Sequence, residues 1–286
     1  MNNTEKNKIE ESTLYLVGTP IGNLSDISER AKKVLSEVDF IAAEDTRNSL
    51  KLISAYGIKK ELVSYFEHNK KASGERIIAR LLSGESCALI TDAGMPAISD
   101  PGEDIVKLAS EAGISVKVVP GPSACVSALA LSALSTKKFT FEGFLSAKQS
   151  ERLSELRELE KEKRTMIFYE APHKLKATLS DMSGVFGEER RISLARELTK
   201  LNEEVIRTTL KNAISLYEEK EPRGEYVLVV EGAGEDDCNN ELLSLTVAEH
   251  IAHYIEAGLT KKDAIKATAK DRGVAKSEIY KYTIED

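Results

Sequence analysis

Apolar runs of four to six residues recur along most of the chain, and most are followed by a segment whose apolar residues repeat every three or four positions. A parallel neighbour strand is reached only through a crossover, usually a helix, so this alternation implies mostly parallel strands covered by helices. "TLYLVG" (Thr13 to Gly18) reads as the first buried strand, and "ISERAKKVLSEV" sets Ile27, Ala31, Val34, Leu35 and Val38 on one helical face. "FIAAE", "ELVSY", "SCALIT" and "SVKVVP" continue as strands. Asp45 is placed to cap a helix that carries Leu50 and Ile53 and stops at Gly57, and "GERIIARLL" and "EDIVKLASEA" are two more helices.

From the apolar helix "SACVSALALSAL" onward the pattern changes. Strand "FTFEGFL", a charged helix from Ala147 to Lys163, strand "TMIFYE", helix "HKLKATLSDM" and strand "RISLARE" follow, then an alternating run "EEVIRTTL" and strand "EYVLVVEG". The expected architecture is two α/β domains, residues 13–122 and 123–234, behind a disordered polar tail of residues 1–12. "GAGEDDCNN" reads as a linker to a helical basic segment, 241–286, with two short helices and a turn at Asp271-Arg272-Gly273.

At 286 residues with 41% hydrophobic and 30% charged content, the chain has enough apolar material for two medium cores. No apolar run approaches the roughly 20 residues of a membrane-spanning helix, and "MNNTEKNKIEES" lacks the apolar centre of a signal peptide. Cys87, Cys125 and Cys238 show no paired spacing, which argues against disulfides and zinc and fits a reducing cytoplasm. His250 and His253 lie three apart with no third ligand and read as surface histidines, so no metal is expected.

Four groups of loops are candidates for carrying chemistry. "VGTPIGNLSD" (Val17 to Asp26) brings Gly18, Pro20 and Gly22 close to a ligand or into a tight strand-to-helix turn, without the G-x-G-x-x-G spacing of a dinucleotide site. "LITDAGMPAISDPG" (Leu89 to Gly102) is stiffened by Pro96 and Pro101, and Gly94 and Gly102 permit positive φ. There Asp92 and Asp100 either accept from a ligand or cap turns. "VVPGPSAC" places Ser123 at a helix cap, and "FYEAPH" and "ARELTK" end second-domain strands in charged residues.

Taken together, "GTPIGNL", "AAEDTRNS", "ITDAGMPAISDPG", "VPGPSA", "FYEAPHKL", "LARELTK" and "RGEYVLVVEG" closely resemble the RsmI family of 16S ribosomal RNA cytidine 2'-O-methyltransferases, within the tetrapyrrole methylase superfamily. The resemblance covers nearly the whole chain. It implies two α/β domains with S-adenosyl-L-methionine in the cleft between them, and usually a homodimer. It also implies a donor pocket of Pro20, Asp92, Ala93, Gly94, Ile98, Ser99, Ser123 and Ala124, walled by Tyr169, Glu170 and Ala195. The implied substrate is cytidine 1402 (rRNA numbering) of 16S RNA in the 30S subunit. The "DAGMP" loop departs from the G-D-P arrangement frequent in tetrapyrrole enzymes.

Methyl transfer from a sulfonium asks the protein to align a ribose hydroxyl and to assist its deprotonation. Glu44, Asp45 and Arg47, with Arg196, Glu197 and Lys200, are the charged candidates. Glu44 or Glu197 is expected to take the proton, and Arg47 or Lys200 to contact phosphate or alkoxide, against the alternative of a structural ion-pair network. His173, at a helix start, suits RNA contact or a surface role equally. The net charge of −7 argues against generic RNA coating, yet residues 260–282 hold seven Lys or Arg against three acids. Arg30, Lys32, Lys33, Arg47 and Lys51 add basic character near the first-domain cleft. The competing readings are a tetrapyrrole methyltransferase, a non-catalytic ribosome assembly factor and, last, a nicotinamide dehydrogenase.

Overall fold

The structure, a computed structural model, describes residues 8–234 and 245–281. The expected disorder of residues 1–7, Cys238 and most of the expected linker lie outside the described residues. Two five-stranded sheets organise the chain. The first is wholly parallel, in the order β3 (Glu61–Ser64), β2 (Phe40–Ala43), β4 (Cys87–Ile90), β1 (Thr13–Val17) and β5 (Ser115–Val119). Helices α1 (Glu29–Glu37) and α2 (Thr46–Ala55) cover one face, where Tyr15, Val17, Ile41 and Ile90 meet Ala31, Val34, Leu35 and Ile53. Helices α3 (Lys70–Leu82) and α4 (Gly102–Glu111) cover the other, where Leu14, Phe40 and Leu89 meet Ile77, Leu81, Ile105 and Ala109. The inner strands β1, β2 and β4 are buried nearly throughout, which is why they read as mostly apolar runs.

The second sheet is mixed, in the order β6 (Phe139–Phe144), β7 (Thr165–Glu170), β10 (Tyr226–Val230), β8 (Arg191–Arg196) and β9 (Glu204–Thr209). Only β6 and β7 run parallel. Helix α5 (Ala124–Leu131) packs on one face. Helices α6 (Gln149–Glu158), α7 (Pro172–Phe186) and α8 (Leu210–Glu219) pack on the other. Helix α8 has no counterpart in the sequence reading, which carried the alternating run through Leu210. Thr209 ends the strand and caps the helix at Asn212 N. The charged helix is shorter than the expected Ala147 to Lys163, and within it Arg152 turns inward: it is 4% exposed and pairs with Asp181 of α7 at 2.6 Å.

Among the described residues three helices form the C-terminal segment, α9 (Val247–Glu256), α10 (Lys261–Asp271) and α11 (Lys276–Lys281), and the turn read at Asp271-Arg272-Gly273 separates the last two. They enclose their own small core of Ile251, Ala264, Ile265, Ala269 and Ile279. His250 is not the surface histidine expected. It is fully buried, stacked on Tyr254, with Nε2 3.3 Å from Asp271 and Nδ1 accepting from Arg272 Nε. His253 is exposed, as read. Among the described residues no helix is long and apolar enough to cross a membrane.

Two glycines fix how closely the strand-end loops approach. A Cβ on Gly18 would lie 2.7 Å from the backbone of Gly121, and one on Gly121 would lie 2.8 Å from Cα of Gly18. That clearance is filled by the opposing loop's backbone, not held open for a ligand. Backbone cannot yield as a flexible side chain can, so Gly18→Ala is expected to destabilise the protein by about 1–3 kcal/mol. Gly184, exposed within α7 with nothing within 4 Å of an added Cβ, is the control. Gly184→Ala is expected to stabilise by about 0.5–1 kcal/mol, as calorimetric melting of both variants will show.

Candidate functional site

Strand β1 lies between β4 and β5, so three loops far apart in sequence leave the same sheet edge side by side. This carboxyl edge is where ligands bind in such sheets. The first and second loops are joined by a reciprocal backbone pair: Thr19 N donates to Gly94 O at 2.9 Å and Gly94 N to Thr19 O at 3.2 Å. Thr19, fully buried, also donates its hydroxyl to Thr91 O at 3.3 Å. Pro20 is buried beside it. Ile21 reaches into the second half, packing with Cys125, Leu129, Ile167, Leu198 and Val229. A side chain buried that far contributes about 1.5–3 kcal/mol, which ties the loop to the second sheet.

The second loop bends by an unexpected device. Gly94 has φ +87°, as read, but Gly102 has no positive φ; Ala97 (+66°) and Ser99 (+60°) do. Asp100 holds this turn, with Oδ1 accepting from Ala97 N at 3.0 Å and Gly102 N at 2.7 Å. A Cβ on Gly102 would lie 2.6 Å from that oxygen, so this glycine provides space, not a left-handed turn. Asp92, Ala93, Ile98 and Ser99 are exposed, and Asp92 accepts from Asn48 at 3.2 Å.

Neighbouring β2 delivers Glu44 and α2. Asp45 caps α2 at Arg47 N (2.8 Å) and receives the Arg47 guanidinium at 3.0 Å, which holds its carboxyl down at about 2. Arg47 is otherwise solvent-facing, and of the two apolar residues read on this helix Ile53 is buried and Leu50 is exposed. Glu44 accepts from Thr91 at 3.1 Å. Partial desolvation is the largest influence on its carboxyl and raises it; the Thr91 bond opposes this, and the charges of Asp92, Asp100 and Asp45 reinforce it.

On the second sheet, Tyr169 turns toward α5 and its hydroxyl accepts from Cys125 N at 3.2 Å. Ser123 stands at the cap position of α5 but makes no capping bond, so its hydroxyl is not used by the helix. Ala124 starts that helix, and Ala195 faces it in the same cluster as Ile21. Glu170 points the opposite way. Its carboxylate accepts from Ala171 N at 2.8 Å and from the Thr178 hydroxyl of α7, and it is 3% exposed. Only its main chain is left for a ligand.

The Glu197–Lys200 turn is strained, with φ +52° at Glu197 and +65° at Thr199. Glu197 is braced by Lys200 Nζ at 2.9 Å and Glu225 N at 3.1 Å, and the Lys200 bond holds its carboxyl below the usual range. Burial lowers the Lys200 ammonium, but Glu225 and Glu197 outweigh it and the net shift is upward. The turn abuts the first loop: a Cβ on Gly22 would lie 2.4 Å from Cγ of Lys200. Among the described residues no hydrogen bond or ion pair joins Glu44 and Arg47 to Glu197 and Lys200. A cavity of about 650 Å³ shares Glu197 with this turn and is otherwise lined by Arg196, Asn202, Arg223 and the end of α8, away from the three loops.

Sequence reasoning missed Thr19, Thr91 and Asn48 as the residues that position this edge. They meet across separations of 72 and 44 residues, for which local spacing carries no signal.

Residues 13–214 match the family described as Tetrapyrrole (Corrin/Porphyrin) Methylases. The chain belongs to that family. It is 48% identical over 273 residues to Ribosomal RNA small subunit methyltransferase I of Halalkalibacterium halodurans, a match covering 95% of this chain and 94% of the relative. The protein of that name from Bacillus subtilis is 48% identical over 276 residues, covering 96% and 94%. Among solved structures, the cobalamin biosynthetic cobalt precorrin-4 methyltransferase aligns with a TM-score of 0.57 at 18% identity, covering 76% of this chain and 94% of that one. Diphthine synthase aligns at 0.59 and 14%, covering 77% and 89%. These structures share the fold.

Glu44 gives a test of the site's electrostatics. Its folded pKa lies above the unfolded value near 4.5, so the folded state binds the proton more tightly and stability falls as pH rises through that window. Glu44→Gln removes the ionised group. The variant is expected to melt slightly higher than wild type at pH 7, with the gain vanishing as pH drops to 4.5 and below, in melting curves taken across that range.

Proposed function

We propose that the chain transfers the methyl group of S-adenosyl-L-methionine to the ribose 2'-oxygen of cytidine 1402 (rRNA numbering) in 16S ribosomal RNA, presented in the 30S subunit. The observation that carries this reading is full-length likeness: relatives named Ribosomal RNA small subunit methyltransferase I are 40–48% identical over 94–96% of this chain. That span extends past the family match ending at 214 into the C-terminal helices.

The residues at the sheet edge suit the donor. Asp92 offers an exposed carboxylate, Ser123 a hydroxyl unused by its helix, and Ile98 an apolar surface. Pro20, Ala93, Gly94, Ser99, Ala124 and Ala195, with Tyr169 and the Glu170 main chain, complete the proposed pocket between domains 13–122 and 123–234. The donor supplies an activated methyl group on a sulfonium. The chain supplies alignment and proton removal. A loop held by backbone pairing and an aspartate turn needs little ordering on binding, which leaves more of the contact energy for orientation.

For the proton, Glu44 is the better base of the two candidates. Its carboxyl is raised above the usual range by partial desolvation, whereas that of Glu197 is lowered and engaged by Lys200. We assign Glu44 to deprotonation, Arg47 to a substrate phosphate, and Glu197 and Lys200 to bracing the turn against the first loop. Arg30, Lys32 and Lys33 have local partners in Val118 O, Glu29 and Glu37, so the first half offers fewer free cations than its sequence suggests. Exposed Lys261, Lys262, Lys266, Lys270 and Lys276 make the C-terminal helices the favoured phosphate contact. A cytoplasmic homodimer completes the reading.

Labelled methyl transfer to 30S subunits, naked 16S RNA and a tetrapyrrole precursor tests it. Label on a 2'-oxygen in 30S particles, mapped by resistance to alkaline hydrolysis, is expected; label on the tetrapyrrole alone would sink the reading. Glu44→Ala is expected to lower the single-turnover rate by about 10²-fold or more with donor affinity unchanged, and a full rate would remove Glu44 as the base.

A further inference from the structure

Strand β6 carries an irregularity that the site described above does not use. In register with β7, Phe141 stands opposite Ile167, Gly143 opposite Phe168 and Phe144 opposite Tyr169, so Glu142 is an extra residue. In a regular strand, side chains three apart point to opposite faces. The bulge shifts the phase, and both rings pack on Tyr169: Phe141 at 4.9 Å and Phe144 at 5.4 Å between centroids. Bulges recur where a side chain is re-aimed beside a functional site.

What the bulge presents is unusual. Phe144 ends on the α5 side of the sheet yet stays 57% exposed, so burial does not explain its placement. Gly143, with φ +68°, brings this stretch against the second loop, since its Cβ would lie 3.1 Å from Ser99 Oγ. Ile98, next to Ser99, is 52% exposed. The Lys174 ammonium lies over the Phe144 ring, 5.8 Å from its centroid. Tyr169 meets the ring at 62°, and among the described residues no ring lies flat against it. An accessible aromatic face beside a donor loop, with an ammonium nearby, has the chemistry of a stacking platform for a nucleobase.

We propose that Phe144 is that platform: its ring stacks on a nucleobase bound at the seam between the second loop and β6. The inference rests on the methyltransferase reading, in which two nucleobases come to this edge, the donor's adenine and the base of the RNA target. Ring stacking is the shared chemistry, and the test separates the two sources.

The full-length protein is compared with Phe144→Ala, Phe144→Leu and Phe144→Tyr. Calorimetric titration with S-adenosylhomocysteine forms one arm and binding to 30S subunits the other. Because Phe144 is more than half exposed, all three variants are expected to melt close to wild type. Alanine and leucine are expected to weaken one arm by about 5- to 150-fold, while tyrosine stays within about twofold of wild type. A loss confined to S-adenosylhomocysteine assigns the ring to adenine; a loss confined to 30S binding assigns it to the RNA base. Wild-type affinity in both arms for alanine, or full recovery by leucine, overturns the platform and leaves the methyltransferase reading standing. A wild-type protein that binds neither probe overturns both.

Discussion

The candidate site depends on one topological constraint: β1 is flanked by β4 on one side and β5 on the other. The chain leaves β1 for β2 in one direction and reaches β5 in the other, so the loops after all three strands open at one edge. Thr19 and Gly94 then join two of those loops through main-chain groups. Main-chain pairing is indifferent to side-chain identity except where a Cβ intrudes. This is why the same stretch demands glycines and leaves Asp92, Ala93, Ile98 and Ser99 exposed.

Strain is concentrated where the two sheets meet. Of six non-glycine residues with positive φ among the described residues, Ala97 and Ser99 lie in the second loop and Glu197 and Thr199 in the turn that abuts Gly22. Such conformations cost about 1–3 kcal/mol each and persist only where neighbours over-determine them. The neighbours are identifiable: Asp100 bonds two amides across the first bend, and Glu225 and Lys200 hold the second. Ile21, lodged in the second sheet's cluster, supplies the apolar attachment that keeps the two loops together.

Much of this was legible in the sequence. The strand–helix alternation implied the parallel sheet because its inner strands β1, β2 and β4 are buried on both faces, and the face predicted for α1 is the buried one. Legibility failed where tertiary contact overrides local pattern. Arg152 sits in a segment that reads as a solvated helix, yet it is buried because Asp181 and the carbonyls of Ser146 and Ala147 satisfy it. His250 is buried for the same reason, between Asp271 and Arg272. Thr209 ends one element and caps the next, which hid α8. At the candidate site the directions of side chains were not readable: Glu170 and Tyr169 are neighbours in one strand and face opposite layers.

The Gly18–Gly121 contact bears on how this chain can vary. When two side chains clash, a larger one on one strand is commonly accommodated by a smaller one on the other. Here each missing Cβ faces the other residue's backbone, and neither partner can shrink below hydrogen. The two positions therefore cannot compensate for each other. Each carries its own cost of substitution, and a change at one leaves the cost at the other undiminished.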